Sequence, residues 1–189
     1  MRDKSVFLGF LSAGLLLAFQ TGAQGKNVTV GLASRDVASY STAQDQLGTF
    51  HVMAIAIPED VVGKRLDTAT LELYVDVSLN DEASEGSTPV IEVLPLTNAF
   101  AGDGKPTFAP TSPAVRNVVP GERRKLLLDI TDIVKGWIAN PGTNHGLIIG
   151  SLTGNKEGEF SLRNDVLGAG VVAKVTFFYQ NRSGGRVSH

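Results

Sequence analysis

The sequence predicts an all-β fold, a jelly-roll-like antiparallel β-sandwich of about eight strands in which one short helix closes one end. Three observations lead to this prediction. From Asn27 onward, apolar residues recur at every second position far more often than at every third or fourth, which is the period of a strand. Clusters of Gly, Pro, Asn and Asp separate the apolar runs. A single stretch is helical, whereas a parallel α/β fold needs a helix after nearly every strand.

The amino-terminal residues predict a cleaved secretory signal. Arg2 and Lys4 precede an apolar or small run over 6–19, and small residues around Ala23 follow it. The run is shorter than the roughly 20 residues that a membrane-spanning helix needs, and no later run approaches that length. We therefore expect residues 1–23 to be removed, and the mature protein to be secreted to the extracellular space or the cell surface without a membrane span.

Composition narrows the class of protein further. The chain has no cysteine, which excludes a disulfide framework and a lipid anchor attached to cysteine. Removing the signal takes Arg2, Asp3 and Lys4 and changes the formal net charge from -2 to -3, so no basic field attracts nucleic acid. We predict one domain at 24–180, large enough to bury a core without covalent staples, and a disordered polar tail at 181–189.

The predicted strands differ in how many of their faces are apolar. The run at 28–32 alternates, whereas the run at 50–57 is apolar on both faces, which is typical of a central strand. In the run at 70–77, leucine and valine share one face and polar residues with a single tyrosine, Tyr74, share the other, so this strand is predicted to have one solvated face. The remaining runs lie at 89–96, 123–130, 145–152, 158–163 and 171–179.

The stretch "DITDIVKGWIANPGTNHGLIIGS" at 129–151 predicts the helix. Thr131 is predicted to cap it through the side-chain hydroxyl, and Asp132 favours the first turn. The helix is predicted to end before Pro141, and Gly142 is expected to take a positive φ. One arc of the helix is apolar and consists of Ile130, Ile133, Val134, Trp137 and Ile138.

Trp137, the only tryptophan, is predicted to be a buried plug. A helix of about two turns is not stable alone in water, so we expect it to lie across an open end of the sandwich and close the core there.

The same stretch carries a family resemblance. "LLLDITDIVKGWIANPGTNHGLIIGS" resembles a segment of the DNRLRE domain family, in which a strand ending in Asp-x-Thr leads to a Val-x-x-Trp helix and then to Asn-x-Gly-Leu. The segments "HVMAIAIPEDVVGKRLDTATLELYVDV", "EFSLRND" and "AKVTFFY" are similar to other strands of that family, so the resemblance covers most of 28–179. The residues that match its structural positions are Thr131, Trp137, Asn144 and Gly146.

The resemblance implies an extracellular β-sandwich, similar to carbohydrate-binding modules and not itself catalytic. Two departures concern the expected ligand contacts. Members often carry tryptophan in the middle loop, where this chain has only Phe100 and Phe108, and the late motif here is "SLRN" without a fuller Ser-Arg-Glu unit.

Residues that catalysis requires are not grouped in the sequence. The chain has no cysteine and no G-x-S-x-G motif, so a nucleophile would need a serine beside His51 or His145. The three histidines, at 51, 145 and 189, show none of the close spacings of a zinc site. We predict that the protein is not an enzyme.

Four aromatic residues are candidates for ligand contact. Tyr40 and Tyr74 have the apolar ring and polar tip that stack well on a sugar, although packing at the core or at an edge is the alternative. The long segment 98–122 is rich in Pro and Gly and exceeds the usual loop length, which is typical of functional loops. Phe100 and Phe108 would be its anchors, unless the segment folds over the sandwich and buries both.

The acidic loop "LNDEASEGSTP" is the candidate metal site. Asp81, Glu82 and Glu85 offer oxygen ligands that suit Ca²⁺. The loop lacks the Asp-x-Asp-x-Asp-Gly spacing, so a solvated hairpin loop is the alternative. No other cofactor is expected.

Two hypotheses about function follow. The first is a carbohydrate-binding module whose partner is a polysaccharide or another component of the extracellular matrix. The second is a structural component of the cell surface or matrix that self-associates through sheet edges or termini, because an exposed edge can accept a further strand.

Overall fold

Two antiparallel sheets pack face to face in the computed structural model, which confirms the predicted all-β sandwich. The structure describes residues 16–17, 25–42, 48–79, 90–102, 106–109, 114–117, 123–150, 158–168 and 170–180. The strands are β1 (Leu16–Leu17), β2 (Lys26–Ala33), β3 (Val37–Thr42), β4 (Gly48–Met53), β5 (Arg65–Leu79), β6 (Val90–Pro95), β7 (Ala114–Asn117), β8 (Arg123–Asp129), β9 (Leu147–Gly150), β10 (Gly158–Leu162) and β11 (Val171–Gln180). The helix α1 spans Thr131–Ala139, and short 3-10 turns occupy Ser34–Asp36 and Pro141–Thr143.

Sheet A is built around β5, the longest strand at 15 residues. One edge of β5 pairs with β11 along its first half and with β10 along its second half, and the other edge pairs with β8. β2 pairs with the far edge of β11, and β1 pairs with β2. Sheet B has the order β3-β4-β9-β6-β7.

The main core lies between the two sheets and follows the alternation seen in the sequence. On β5, Leu71, Leu73 and Val75 are fully buried, whereas Tyr74 on the opposite face is half-buried. Sheet B contributes the inward side chains of β4, β6 and β9, among them Met53 and Ile149. Burying each such side chain stabilises the fold by about 1.5–3 kcal/mol.

A second apolar cluster covers the outer face of sheet B. It consists of Phe50, Leu94, Leu96 and Ile148, with Val52, Phe100 and Phe108 packed against it. These residues alternate with the inward ones along β4, β6 and β9, so the three central strands of sheet B are apolar on both faces. The two-sided pattern at 50–57 therefore reflects a strand that is buried on both sides.

The helix α1 crosses from the end of β8 in sheet A to the start of β9 in sheet B. Its buried residues are Thr131, Val134 and Trp137, while Ile133 and Ile138 pack partly against the core. The helix therefore closes one open end of the sandwich, as its apolar arc predicts.

The predicted cap at Thr131 is wrong. The residue before the helix is Ile130, and no side chain caps the helix from that position. The Thr131 hydroxyl instead accepts a hydrogen bond from the Ala69 N–H of β5 (2.9 Å), and Asp129 Oδ1 accepts one from the Thr131 N–H (2.9 Å). Asp129 provides the capping interaction, because its carboxylate accepts the hydrogen bond from the first amide of the helix.

The positive φ after the helix belongs to Gly146 and not, as predicted, to Gly142. Pro141 starts a short 3-10 turn that includes Gly142, so the sharp change of direction comes later. Asn144 fixes this connection, since its Nδ2 donates to the Ile55 carbonyl (2.8 Å) and its Oδ1 accepts from the Gly146 N–H (3.3 Å). The side chain of Asn144 thereby joins the loop after α1 to the chain after β4.

Several predicted segments lie outside the described residues. These are most of the signal at 1–23, the tail at 181–189, and the acidic loop with Asp81, Glu82 and Glu85. Within the described residues, no helix is long and apolar enough to cross a membrane.

Candidate functional site: a groove beside the helix

A groove with a volume of about 480 Å³ lies between α1 and the segment that follows β6. This volume falls in the range of small-molecule sites, roughly 300–1,000 Å³. The residues that line the groove are Pro95, Leu96, Thr97, Ala109, Asp132, Ile133, Gly136, Trp137 and Thr143.

The helix provides one wall. Trp137 is only 3% exposed and packs in the main core, so the indole is held rigidly where it reaches the groove. Ile133 is half-buried one turn earlier. Gly136 is exposed between them, and a Cβ built on it meets no atom within 4 Å. The absence of a side chain at Gly136 keeps this wall open.

The opposite wall is a short hairpin that extends β6. Leu96 bridges to Phe108, the Thr97 N–H donates to the Thr107 carbonyl (2.9 Å), and the Ala109 N–H donates to the Pro95 carbonyl (3.1 Å). Because backbone hydrogen bonds hold the hairpin, this wall of the groove is formed before any ligand arrives.

The same wall is tied to the loop after the helix. The Leu96 N–H donates to the Gly146 carbonyl (3.0 Å), next to the Leu147 start of β9. The two walls of the groove are thus joined to one another through the chain around Gly146.

The rim of the groove is polar. The Asp132 side chain is 96% exposed, and the Lys135 ammonium lies 4.0 Å from its carboxylate, at the limit of an ion pair. The Thr143 hydroxyl donates to the Asn140 carbonyl (2.8 Å), which leaves its oxygen able to accept. Thr97 adds a second hydroxyl. An apolar wall therefore stands beside one carboxylate and two hydroxyls.

The position of α1, and hence the shape of the groove, depends on the hydrogen bonds at its start. The Ile130 N–H donates to the Ala69 carbonyl (2.9 Å), and the Ala69 N–H donates to Thr131 Oγ1. Hydrogen bonds from the hydroxyl and from the backbone amide of Thr131 lower the pKa of Asp129. This group of contacts joins the first turn of α1 to β5.

Tyr74 lies on the outer face of sheet A and does not line the groove. Charged side chains surround it. Lys125 Nζ lies 2.9 Å from Glu72 Oε1, and Arg163 lies 3.6 Å from Asp76. The hydrogen bond to Glu72 raises the pKa of Lys125. Tyr74 therefore lies on a charged face of sheet A.

Phe100 and Phe108 lie on the other side of the molecule, against the outer face of sheet B. The rings of Phe50 and Phe100 meet edge to face, with centroids 6.1 Å apart. Both phenylalanines are half-buried in this packing. The backbone of Tyr40 pairs with Phe50 between β3 and β4, and its side chain lies outside the described part of the chain.

The structure therefore brings Phe100 and Phe108 together on the outer face of sheet B, leaves Tyr74 on the outer face of sheet A, and forms the groove from other residues. Asp132, Gly136 and Thr143 belong to the stretch that predicts the helix, where they occupy its exposed side and the turn after it. Sequence periodicity gave no sign of the groove, because the opposite wall at 95–109 comes close only through the pairing of β6 with β9. Trp137 is common to the sequence prediction and the groove.

Neither histidine within the described residues lines the groove. His51 is buried on the inner face of β4, and His145 is half-buried in the loop before β9. Among the residues that the structure describes, no three His, Cys, Asp or Glu side chains are grouped as a metal ion requires.

Comparison of the chain with models of known protein families gave no match. A search of curated proteins gave no match either.

Proposed function

We propose that the protein is a secreted, non-catalytic module that binds carbohydrate in the groove beside α1. The observation that carries this proposal is the partly exposed apolar lining of Pro95, Ala109 and Ile133, which the nearly buried Trp137 completes. This lining lies beside the exposed carboxylate of Asp132 and the hydroxyls of Thr97 and Thr143. A sugar presents a C–H face that packs on apolar atoms and hydroxyls that hydrogen-bond to such groups. The resemblance to the DNRLRE domain family stays a prediction that agrees with this proposal.

The charge of the groove favours one class of carbohydrate. Asp132 is the only charged side chain among the groove residues described. A carboxylate accepts strong hydrogen bonds from hydroxyl or ammonium groups and repels other anions. Because the Lys135 ammonium lies 4.0 Å from this carboxylate and offsets part of its charge, we expect neutral sugars or amino sugars to bind more tightly than uronic acid or sulfated polymers.

Two variants of Gly136 test the site without disturbing the core. A Cβ at this position meets no atom within 4 Å, so Gly136→Leu extends its side chain into open space toward the groove. Gly136→Ala is the matched control, because it makes the same change to the backbone and adds little volume. We expect the alanine variant to keep the binding of the unsubstituted protein and the leucine variant to lose it.

Asp132→Asn tests the charge. It keeps the shape of the side chain and removes the charge. Because the side chain is 96% exposed and water screens it, we expect a loss of about 0.5–1.5 kcal/mol of binding free energy, or roughly a twofold to tenfold weaker affinity. The measurement is titration calorimetry and quenching of Trp137 emission with soluble glucan, xylan, mannan and amino-sugar oligomers, with a polyuronate for comparison. The fluorescence signal is specific because Trp137 is the only indole.

Two results would contradict the proposal. One is equal polysaccharide affinity in Gly136→Leu and Gly136→Ala, which would move binding to another surface. The other is the absence of binding to every polymer in the panel. We also expect a screen of ester, glycoside and peptide substrates to show no hydrolysis by the unsubstituted protein.

A further inference from the structure

The strand β2 (Lys26–Ala33) lies at the edge of sheet A. Along one side it pairs with β11 over its whole length. On its other side, the described residues provide only β1, in which Leu16 lies opposite Val30 and Leu17 lies opposite Thr29. Most of this side therefore has no strand partner within the described part of the chain.

The free side of β2 has few of the features that protect natural sheet edges. Such edges are usually short or carry charges, proline or bulges that prevent pairing with another chain. β2 has eight residues, no proline and a single charged residue, Lys26. The pairing of β2 with β11 has a register shift between Val171 and Ala173 of β11. These two residues lie opposite the last residues of β2, Ala33 and Leu32. A regular segment centred on Thr29 is left available.

The present partner of β2 belongs to the segment that the sequence predicts to be removed. Leu16 and Leu17 lie in the apolar run of the signal at 1–23. In this pairing, that side of β2 accepts an antiparallel strand at Thr29 and Val30, and cleavage would remove the strand. We propose that β2 of the mature chain pairs antiparallel with β2 of a second copy, so that the two copies of sheet A join into one continuous sheet.

The residues of β2 fit a second copy of themselves. Its inward side chains, Val28, Val30 and Leu32, are buried, and a two-fold antiparallel pair places them next to the same inward residues of the copy. The same arrangement puts the two Lys26 side chains at opposite ends of the pair, about 20 Å apart at roughly 3.3 Å per residue. Two-fold pairing therefore extends the core without opposing like charges.

The test uses the chain from residue 24 to 189, which retains both apolar clusters, since all of their members lie at or after Val28. The chain has no cysteine, so one introduced cysteine is its only thiol. Because opposed residues of an antiparallel pair point to the same face, the two-fold register must centre on a residue. Centred on Thr29, it overlaps residues 26–32 of the two copies and places Thr29→Cys directly opposite the same thiol in the copy. The matched control is Leu127→Cys, which is 45% exposed on β8 at another edge of sheet A.

We expect Thr29→Cys to form disulfide-linked dimers under mild oxidation several-fold more than Leu127→Cys. Thr29→Cys also removes the hydroxyl contact with Thr176 (3.0 Å), so circular dichroism must first show that the variant is folded. Sedimentation velocity of the unsubstituted 24–189 chain is the second measurement and is expected to give twice the mass of one chain. It does not depend on either substitution.

Two results would overturn the inference. A monomer at every concentration in sedimentation excludes the pairing, and equal cross-linking at Thr29→Cys and Leu127→Cys places the contact elsewhere. The two proposals fail separately, because Gly136→Leu should lose polysaccharide binding and still sediment as a dimer.

Discussion

Replacing Gly146 by alanine should destabilise the protein more than replacing Gly63 or Gly136 by alanine. Gly146 has φ +93°, and a Cβ built on it lies 2.4 Å from the Met53 carbonyl oxygen and 3.3 Å from its carbon. Met53 cannot move away easily, because β4 pairs there with Leu147 on one side and Val37 on the other. The added carbon must therefore separate β4 from β9 or distort the loop.

The cost of Gly146→Ala has two parts. A side chain at positive φ costs about 1–2 kcal/mol, and overpacking costs about 1–3 kcal/mol, so the free energy of unfolding should fall by about 2–5 kcal/mol. A domain of this size is stable by roughly 5–15 kcal/mol. The loss should be measured by urea unfolding, monitored by Trp137 emission and circular dichroism. We expect a lower midpoint urea concentration and an unchanged dependence of the free energy of unfolding on urea concentration.

Two other glycines separate the contributions. Gly63 has φ +74° and no atom within 4 Å of a built Cβ, so Gly63→Ala should cost only the conformational part, about 1–2 kcal/mol. Gly136 is helical with the same open space, and Gly136→Ala should stabilise by about 0.8–1 kcal/mol. If Gly146→Ala is no more destabilising than Gly63→Ala, the close approach to Met53 does not limit the fold and the reasoning is wrong.

The remaining predictions concern the helix and the mature chain. Trp137→Ala should lower the free energy of unfolding by about 3–5 kcal/mol through a cavity in the core, and unchanged thermal stability would contradict its burial. Thr131→Val should cost about 1–3 kcal/mol because the Ala69 N–H loses its acceptor, and Thr131→Ser should recover most of that loss in urea unfolding. The lowered pKa of Asp129 means that its stabilising effect is complete above the usual carboxyl pKa and is lost as the pH falls through the lower folded-state pKa. The urea midpoint should therefore change less between neutral and acidic pH in Asp129→Asn than in the unsubstituted protein. An equal change in the two proteins would exclude this stabilising role of Asp129. N-terminal sequencing of the secreted protein should begin near Gln24, and a retained apolar run would refute the signal.

The sequence predicts those strands and helices in which apolar residues recur with a regular period. β5 and α1 follow directly from it, since their buried side chains recur at periods of two and of about 3.6 residues. The strands β3 and β7 are not predicted from the sequence. Their segments, "VASYST" and "AVRN", lie at the two edges of sheet B, where polar residues are tolerated. Edge strands bury less apolar surface, so their pattern is weak.

The candidate site is harder to predict for a different reason. The side chain of Asp132 and the open position at Gly136 can be placed on the exposed side of α1 from its periodicity alone. Their partner in the groove, the hairpin around Thr97, is more than thirty residues away in sequence and approaches only through the pairing of β6 with β9. The Thr131 hydroxyl was misassigned for the same reason, because its partner Ala69 is distant in sequence.

The contact between Thr131 and Ala69 also predicts the order in which parts of the chain fold. It joins residues 62 positions apart, and the helix is too short to persist by itself. Closing such distant contacts is slow compared with forming a local helix. α1 should therefore become stable only after β5 and β8 have paired, and Trp137 emission in a refolding experiment would follow this late step and not the initial collapse.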